Sequence, residues 1–422
     1  MAKARKWICA VAVMALAMPQ AVAQDVKFSR YFTGGTLRLD CTRDGDARGD
    51  TVWVSRWIDR SAEWHGRRKQ LTDRFDNGDY RVEMRDRKSG QVLYSQSYSN
   101  LFREYKGTGK GRTEKARFEE TLLLPMPKKA VSIALQHRVA TVDSVEGRVR
   151  YAFADQTVVD FDPKERELDF NYHLGQSMDL EVHGKPSEKV DVAIVAQGYP
   201  SLSDPKLRVD LYRMKEILFL QEPFKSHRED FNVYGIFADV HADFGTFGID
   251  RYLMTFDVWH LHDMLGTTPC DYVVVMVNSD TYGGGAIYNF YAVTSMHRMA
   301  EYVLPHEFGH AFGGLADEYV DEELAYGNLH ISDYEPLEPN ITNLKDFGSK
   351  WESMLPEGTA VPTPEPEGVK SSECGPLGVY EGAGYAHKGV FRPAMHCMMR
   401  DYAPFCPVCT KRLEEVFGSF MQ

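Results

Sequence analysis

The chain has 422 residues, long enough for two or three domains, each with its own core. A hydrophobic fraction of 43% and an aromatic fraction of 12% argue against wholesale disorder. With 49 basic against 61 acidic residues the net charge is −12, which argues against a nucleic-acid binder and for a soluble, acidic surface.

Lys3, Arg5 and Lys6 precede an apolar run from Trp7 to Met18, and Ala21-Val22-Ala23 supplies the small-x-small pattern of a cleavage site. Residues 1–23 are therefore expected to be a signal peptide. The protein would be exported through the secretory pathway to the periplasm, the cell surface or the exterior. The apolar run is short for a bilayer span and no later stretch approaches one, so no membrane span is expected in the mature chain. Six cysteines follow the leader: Cys41, Cys270, Cys374, Cys397, Cys406 and Cys409. In an oxidising compartment these are expected to form disulfides in preference to a cysteine-bound structural zinc, stapling the C-terminal region.

Residues 24 to about 160 read as β-rich. Thr36–Asp40, Asp79–Met84, Gln91–Tyr94, Phe118–Leu124 and Val131–Leu135 are short, partly alternating runs separated by turn signals such as Asp76-Asn77-Gly78. They predict an all-β, sandwich-like domain over residues 24–185. The cluster of His65, Arg67, Arg68 and Lys69 reads as a solvated loop. From Val190 the regime changes. Val190–Val195 is a continuous apolar run, the mark of a strand buried on both faces. Asp204-Pro205 reads as a helix cap followed by proline at the first helical position, with Leu207, Leu211, Met214 and Leu218 on one face. Phe231–Val240 and Tyr272–Val277 read as strands, and Arg251–Leu265 as a helix. This alternation predicts an α/β domain with a largely parallel sheet over residues 186–422. Leu355–Val369, rich in Pro, Glu and Gly, predicts an irregular loop.

The chemistry is concentrated further on. Thr281–Tyr288 contains Gly283-Gly284-Gly285, which would let a peptide backbone come close, and the strand after it can pair with an extended substrate. His306 and His310 are four residues apart, which on a helix places both imidazoles on one face, close enough to share one metal ion. Glu307 stands beside His306, where its carboxylate reaches a water on that metal. The expected chemistry is peptide hydrolysis: a Zn2+ ion acidifies its bound water, and Glu307 acts as general base. Pro305 requires either a kinked helix or a fresh start, and Gly313-Gly314 marks the helix end. A third metal ligand is needed. Ala316 cannot ligate. Asp317 is the first choice, with the paired glycines absorbing one extra residue, and Glu318 or His396 are the alternatives.

The run His306-Glu307-Phe308-Gly309-His310-Ala311-Phe312-Gly313-Gly314-Leu315-Ala316-Asp317-Glu318-Tyr319 resembles the signature of the bacterial IgA-peptidase family, metzincin-like zinc endopeptidases. The likeness continues through Phe391–Arg400 and Phe405-Cys406-Pro407-Val408-Cys409, and includes a β domain ahead of the catalytic one. The resemblance implies an α/β zincin fold, one catalytic zinc, a protein or peptide substrate, and Met398 or Met399 as a methionine turn under the metal. Tyr402 would hydrogen-bond the tetrahedral oxyanion. A rival reading is a non-catalytic exported module that binds glycan or protein on a zincin scaffold; another is an amide hydrolase such as a deacylase. A latency role for Cys41 ranks below a structural one.

Overall fold

The structure is a computed structural model that describes residues 26–142, 149–170, 175–321 and 334–421, so the expected signal peptide lies outside the described residues. After a single helical turn, α1 (Phe28–Tyr31), the N-terminal region is built from β1 (Phe32–Asp46), β2 (Gly49–Glu63), β3 (Tyr80–Asp86), β4 (Val92–Tyr98), β5 (Ala116–Pro127), β6 (Val131–Val142), β7 (Val149–Phe161) and the two-residue β8 (Asp169–Phe170). They form two four-stranded sheets, ordered β5-β1-β2-β8 and β4-β3-β6-β7. A short helix, α2 (Leu101–Gly107), is capped by Asn100, whose side chain accepts from the Arg103 backbone N–H. The long strands β2 and β7 were not legible as strands. Charged residues such as Asp50, Arg56, Asp59 and Arg60 interrupt the apolar pattern of β2, because its arginines ion-pair or hydrogen-bond across the interface to the next region.

The second region holds a six-stranded sheet in the order β13-β14-β12-β10-β11-β9. Its members are β9 (Gln176–Val182), β10 (Val190–Gln197), β11 (Phe231–Phe237), β12 (Tyr272–Val277), β13 (Gly284–Ile287) and β14 (Tyr291–Ser295). The four central strands run parallel, with β9 and β13 antiparallel at the edges. β9 lies within the stretch 24–185 that the sequence reading assigned to the first domain, yet it pairs with β11. Among the described residues four helices accompany the sheet: α3 (Pro205–Leu218), α4 (Val258–Leu265), α5 (Ala300–Gly313) and α6 (Pro407–Phe420). A hairpin, β15 (Tyr380–Ala383) with β16 (Ala386–Arg392), follows the irregular stretch that contains Leu355–Val369.

The continuous apolar strands are explained by what covers each face. Along β10, Ala193 and Val195 join the core shared with the N-terminal sheets, whereas Val192 and Ile194 join the core under α3, α5 and α6. Tyr272, Val274 and Met276 of β12 face the helices, and Val273, Val275 and Val277 face the β-rich region. The parallel sheet is thus the middle of three layers. The cap on α3 forms as the sequence predicts, Asp204 accepting from the Lys206 N–H at 2.9 Å. Only Val258–Leu265 of the expected helix Arg251–Leu265 is helical, because the backbone of Arg251, Leu253 and Met254 is drawn into bonds with Gly284 and Asp243. Arg60 anchors the interface from the first region, its guanidinium donating to the Gly266 and Thr268 carbonyls at 2.7 and 2.5 Å.

Two further expectations are corrected. His65 is buried, 2.7 Å from the Arg60 guanidinium and 3.4 Å from Asp271, and so is part of this interface, not a solvated loop. The six cysteines are all free thiols in the structure. Cys41 is buried in the N-terminal core, in strand β1, and does not reach the histidines.

A candidate metal centre at the interface of two layers

Helix α5 runs unbroken through Pro305. The bond proline forfeits is to the carbonyl of residue 301, on an exposed glutamate, so the loss is mild there. The helix stops at Gly314, which adopts φ +62° and whose N–H caps the His310 carbonyl at 3.0 Å. This turn sends the chain back across the histidine face. His306 donates from Nδ1 to the Met398 carbonyl at 2.9 Å, and His310 from Nδ1 to the Leu315 carbonyl at 2.6 Å. Asn340 brackets the next residue, accepting from the Ala316 N–H at 2.7 Å and donating to the Ala316 carbonyl at 2.9 Å. Asp317 is thereby delivered to the pair.

With each Nδ1–H committed to a carbonyl, each neutral imidazole presents a lone pair at Nε2. The two Nε2 atoms are 3.2 Å apart, and Asp317 Oδ1 lies 3.0 Å from His306 Nε2 and 3.3 Å from His310 Nε2. Three acceptors at such spacing repel unless a proton or a metal cation lies among them. A tetrahedral ion with ligand bonds of about 2.1 Å sets its ligands about 3.4 Å apart, close to the triangle observed. Asp317 Oδ1 is buried and has no hydrogen-bond donor apart from the two imidazole nitrogens it faces, which also fits a metal ligand. Its other oxygen accepts from the Tyr385 hydroxyl. These residues therefore fit a zinc ion.

The electrostatics agree. Burial alone would depress His310, but the Asp317 carboxylate reverses this and raises it to about 9. For Asp317 burial would raise the carboxyl, and the two imidazoles override it, holding it well below the usual carboxylate range. The pocket thus demands positive charge. Glu307 stands close by, its carboxylate within 4.8 Å of a ring nitrogen of each histidine, and burial raises it above the ordinary glutamate value.

A cleft of about 370 Å³ opens over this centre. It is lined on one side by Arg103 and Asp79 of the N-terminal region and on the other by Tyr302, Tyr319 and Tyr385. Gly284, at the start of edge strand β13, packs so closely on Glu307 that a Cβ there would come within 2.6 Å of Oε1. The paired methionines are fully buried beneath the helix, with the Met399 sulfur against Gly309.

The remaining expected residues go elsewhere. Glu318 points away from the histidines into a buried group with Cys397, Cys406 and Cys409. His396 bonds Asp401 at 2.5 Å. Tyr402 is half exposed, its ring 6.0 Å from that of Tyr302, and it is not among the cleft-lining residues. Tyr385 was missed by the sequence reading. It lies 68 positions from Asp317, on the turn between β15 and β16, with no local motif to mark it.

A search of the curated proteins finds no match. A family model for the IgA Peptidase M64 matches residues 178–372 and 368–417, and one for the Peptidase M64 N-terminus matches residues 27–146. The first alone spans more than half of the chain, so this protein belongs to the M64 family of metallopeptidases.

Proposed function

We propose that this peptidase is a zinc-dependent endopeptidase on a metzincin-like scaffold, with His306, His310 and Asp317 as the metal ligands and Glu307 as general base. The convergence of three acceptor atoms on buried and half-buried side chains, beside a carboxylate raised above its ordinary value, carries this reading. When bound, zinc supplies Lewis acidity at neutral pH, polarising a carbonyl and acidifying water. Glu307 takes the proton from the attacking water and passes it to the departing amine nitrogen. Tyr402 stands outside the cleft, its ring 6.0 Å from that of Tyr302, and its proposed role as donor to the developing oxyanion requires that it turn inward when substrate binds. The outer edge of β13 at Ala286 faces the cleft and suits an extended protein or peptide substrate added in strand register. Export to an extracytoplasmic compartment is proposed from the basic, then apolar, leader. Among the described residues no helix is long and apolar enough to cross a membrane.

The test is cleavage of a denatured protein substrate. Fragments should appear, vanish with a chelator and return on adding zinc. Glu307→Ala should keep its zinc and lose on the order of 10²-fold or more in kcat/KM. Wild-type turnover by that variant would sink the assignment.

A further inference from the structure

Behind the histidine helix lies a second cluster with no part in the chemistry above. Glu318, Cys397, Cys406 and Cys409 are each 0% exposed, and three sulfurs and a carboxylate oxygen lie within 4.8 Å of one another. The Cys397 and Cys409 sulfurs are 3.7 Å apart, and Cys409 Sγ is 3.2 Å from Glu318 Oε1. Tetrahedral zinc with bonds of about 2.3 Å to sulfur holds two thiolates about 3.8 Å apart. The observed spacing is that of ligands around an ion.

Two independent features point the same way. Glu318 Oε2 is completely buried without a hydrogen-bond partner, while Oε1 accepts from Asn340 at 2.8 Å. Burying a carboxylate in this way is costly unless a cation faces it. The sulfurs also sit at the start of α6, where Cys406 is the N-cap. There the Cys406 N–H donates to Cys397 Sγ at 3.3 Å and the Cys409 N–H to Cys406 Sγ at 3.5 Å. Both N–H groups thus point at sulfur lone pairs, so that the sulfurs are held as acceptors around one common point.

We propose that Glu318, Cys397, Cys406 and Cys409 bind a second, structural divalent metal of the zinc class. Three soft thiolates select zinc over calcium or magnesium, and each thiol yields its proton to solvent on binding. A full set of four protein ligands leaves no open position, so the role is mechanical. Glu318 adjoins Asp317, and Cys397 adjoins Met398, whose carbonyl orients His306. The ion would tie both to α6 and stiffen the catalytic triangle from behind.

The experiment uses the full mature chain and a His306→Ala/His310→Ala double variant, supplied with zinc and dialysed. The double variant should retain about one equivalent of zinc. After exchange for cobalt(II) it should show the intense near-ultraviolet charge-transfer absorption of thiolate ligands. The native chain should show the same band, which a centre of two histidines and one aspartate cannot produce. A double variant without metal, or cobalt-loaded native protein without that band, overturns the proposal. So does an unreduced intact mass lighter by two hydrogens, because the thiols would then be joined as a disulfide. One equivalent in both proteins upholds the cysteine site and instead counts against the histidine centre.

Discussion

Asp317 divides its two oxygens between tasks, one facing the imidazoles and the other accepting from Tyr385. Tyr385 is held at φ +67°, a left-handed conformation costing a non-glycine residue roughly 1–2 kcal/mol. Backbone bonds offset that cost: the Gly384 N–H donates to the Asp317 carbonyl at 2.9 Å and the Tyr385 N–H to the Tyr319 carbonyl at 3.0 Å. The turn is thus fastened to the segment that carries the ligand. Tyr385→Phe keeps the ring and the backbone but removes the hydroxyl donor. Zinc affinity, measured by chelator competition, should fall by roughly 10–100-fold with little change in melting temperature. Unaltered affinity would show that the hydroxyl does not position Asp317. Asp317→Asn weakens the charge that balances the ion, and it should lower zinc content at a fixed chelator concentration more than Tyr385→Phe does.

At the scale of elements, β13 and α5 fix the distance between the proposed substrate edge and the general base. Only glycine fits at position 284, since an added Cβ would lie 2.5 Å from Val303 Cγ1 and 2.6 Å from Glu307 Oε1. Gly284→Ala should push Glu307 off its position while the buried remainder of the sheet holds. We expect kcat to fall on the order of 10-fold or more, because misplacement of a catalytic group by about an ångström is costly. Bound zinc should be unchanged, since neither histidine touches the new methyl. Loss of zinc together with activity would mean that the strand supports the whole centre, contrary to this reading.

The whole molecule is held together by a layer interface that buries ionisable groups. Asp191, on β10, and Asp271, just ahead of β12, face each other there, near His65 and Arg60. Burial raises both carboxyls, and the charge of Asp271 adds to the rise at Asp191. The folded chain therefore keeps a proton on each carboxyl that the unfolded chain releases above about pH 4. That contribution to stability is complete below the unfolded value and is lost as pH rises through neutrality towards the folded value. Asp191→Asn should remove about half of this slope, because burial by itself keeps the Asp271 carboxyl raised. Relative to the native chain, the variant should gain up to about 1 kcal/mol per pH unit between pH 5 and pH 8 in urea unfolding. A stability difference that stays constant with pH would show that Asp191 keeps no proton in the folded chain.

The sequence by itself determined the elements whose signals are local. The continuous apolar runs of β10 and β12, the Asp204-Pro205 start of α3, the glycine stop of α5 and the four-residue spacing of His306 and His310 depend on residues within a turn or a strand of one another. The β2 and β7 strands escaped notice because side chains that pair across layers break the alternation. Only the tertiary structure decided which carboxylate meets the histidines. Asp317 and Glu318 are neighbours in the chain, but Asn340 and the Gly314 turn rotate one towards α5 and the other towards α6. It likewise brought Cys397 to Cys406 and Cys409 as a thiol cluster where a disulfide was expected, and set Tyr385 against Asp317. Such contacts join residues far apart in the chain, and a partner's direction follows from the packing of whole layers, which no local pattern encodes.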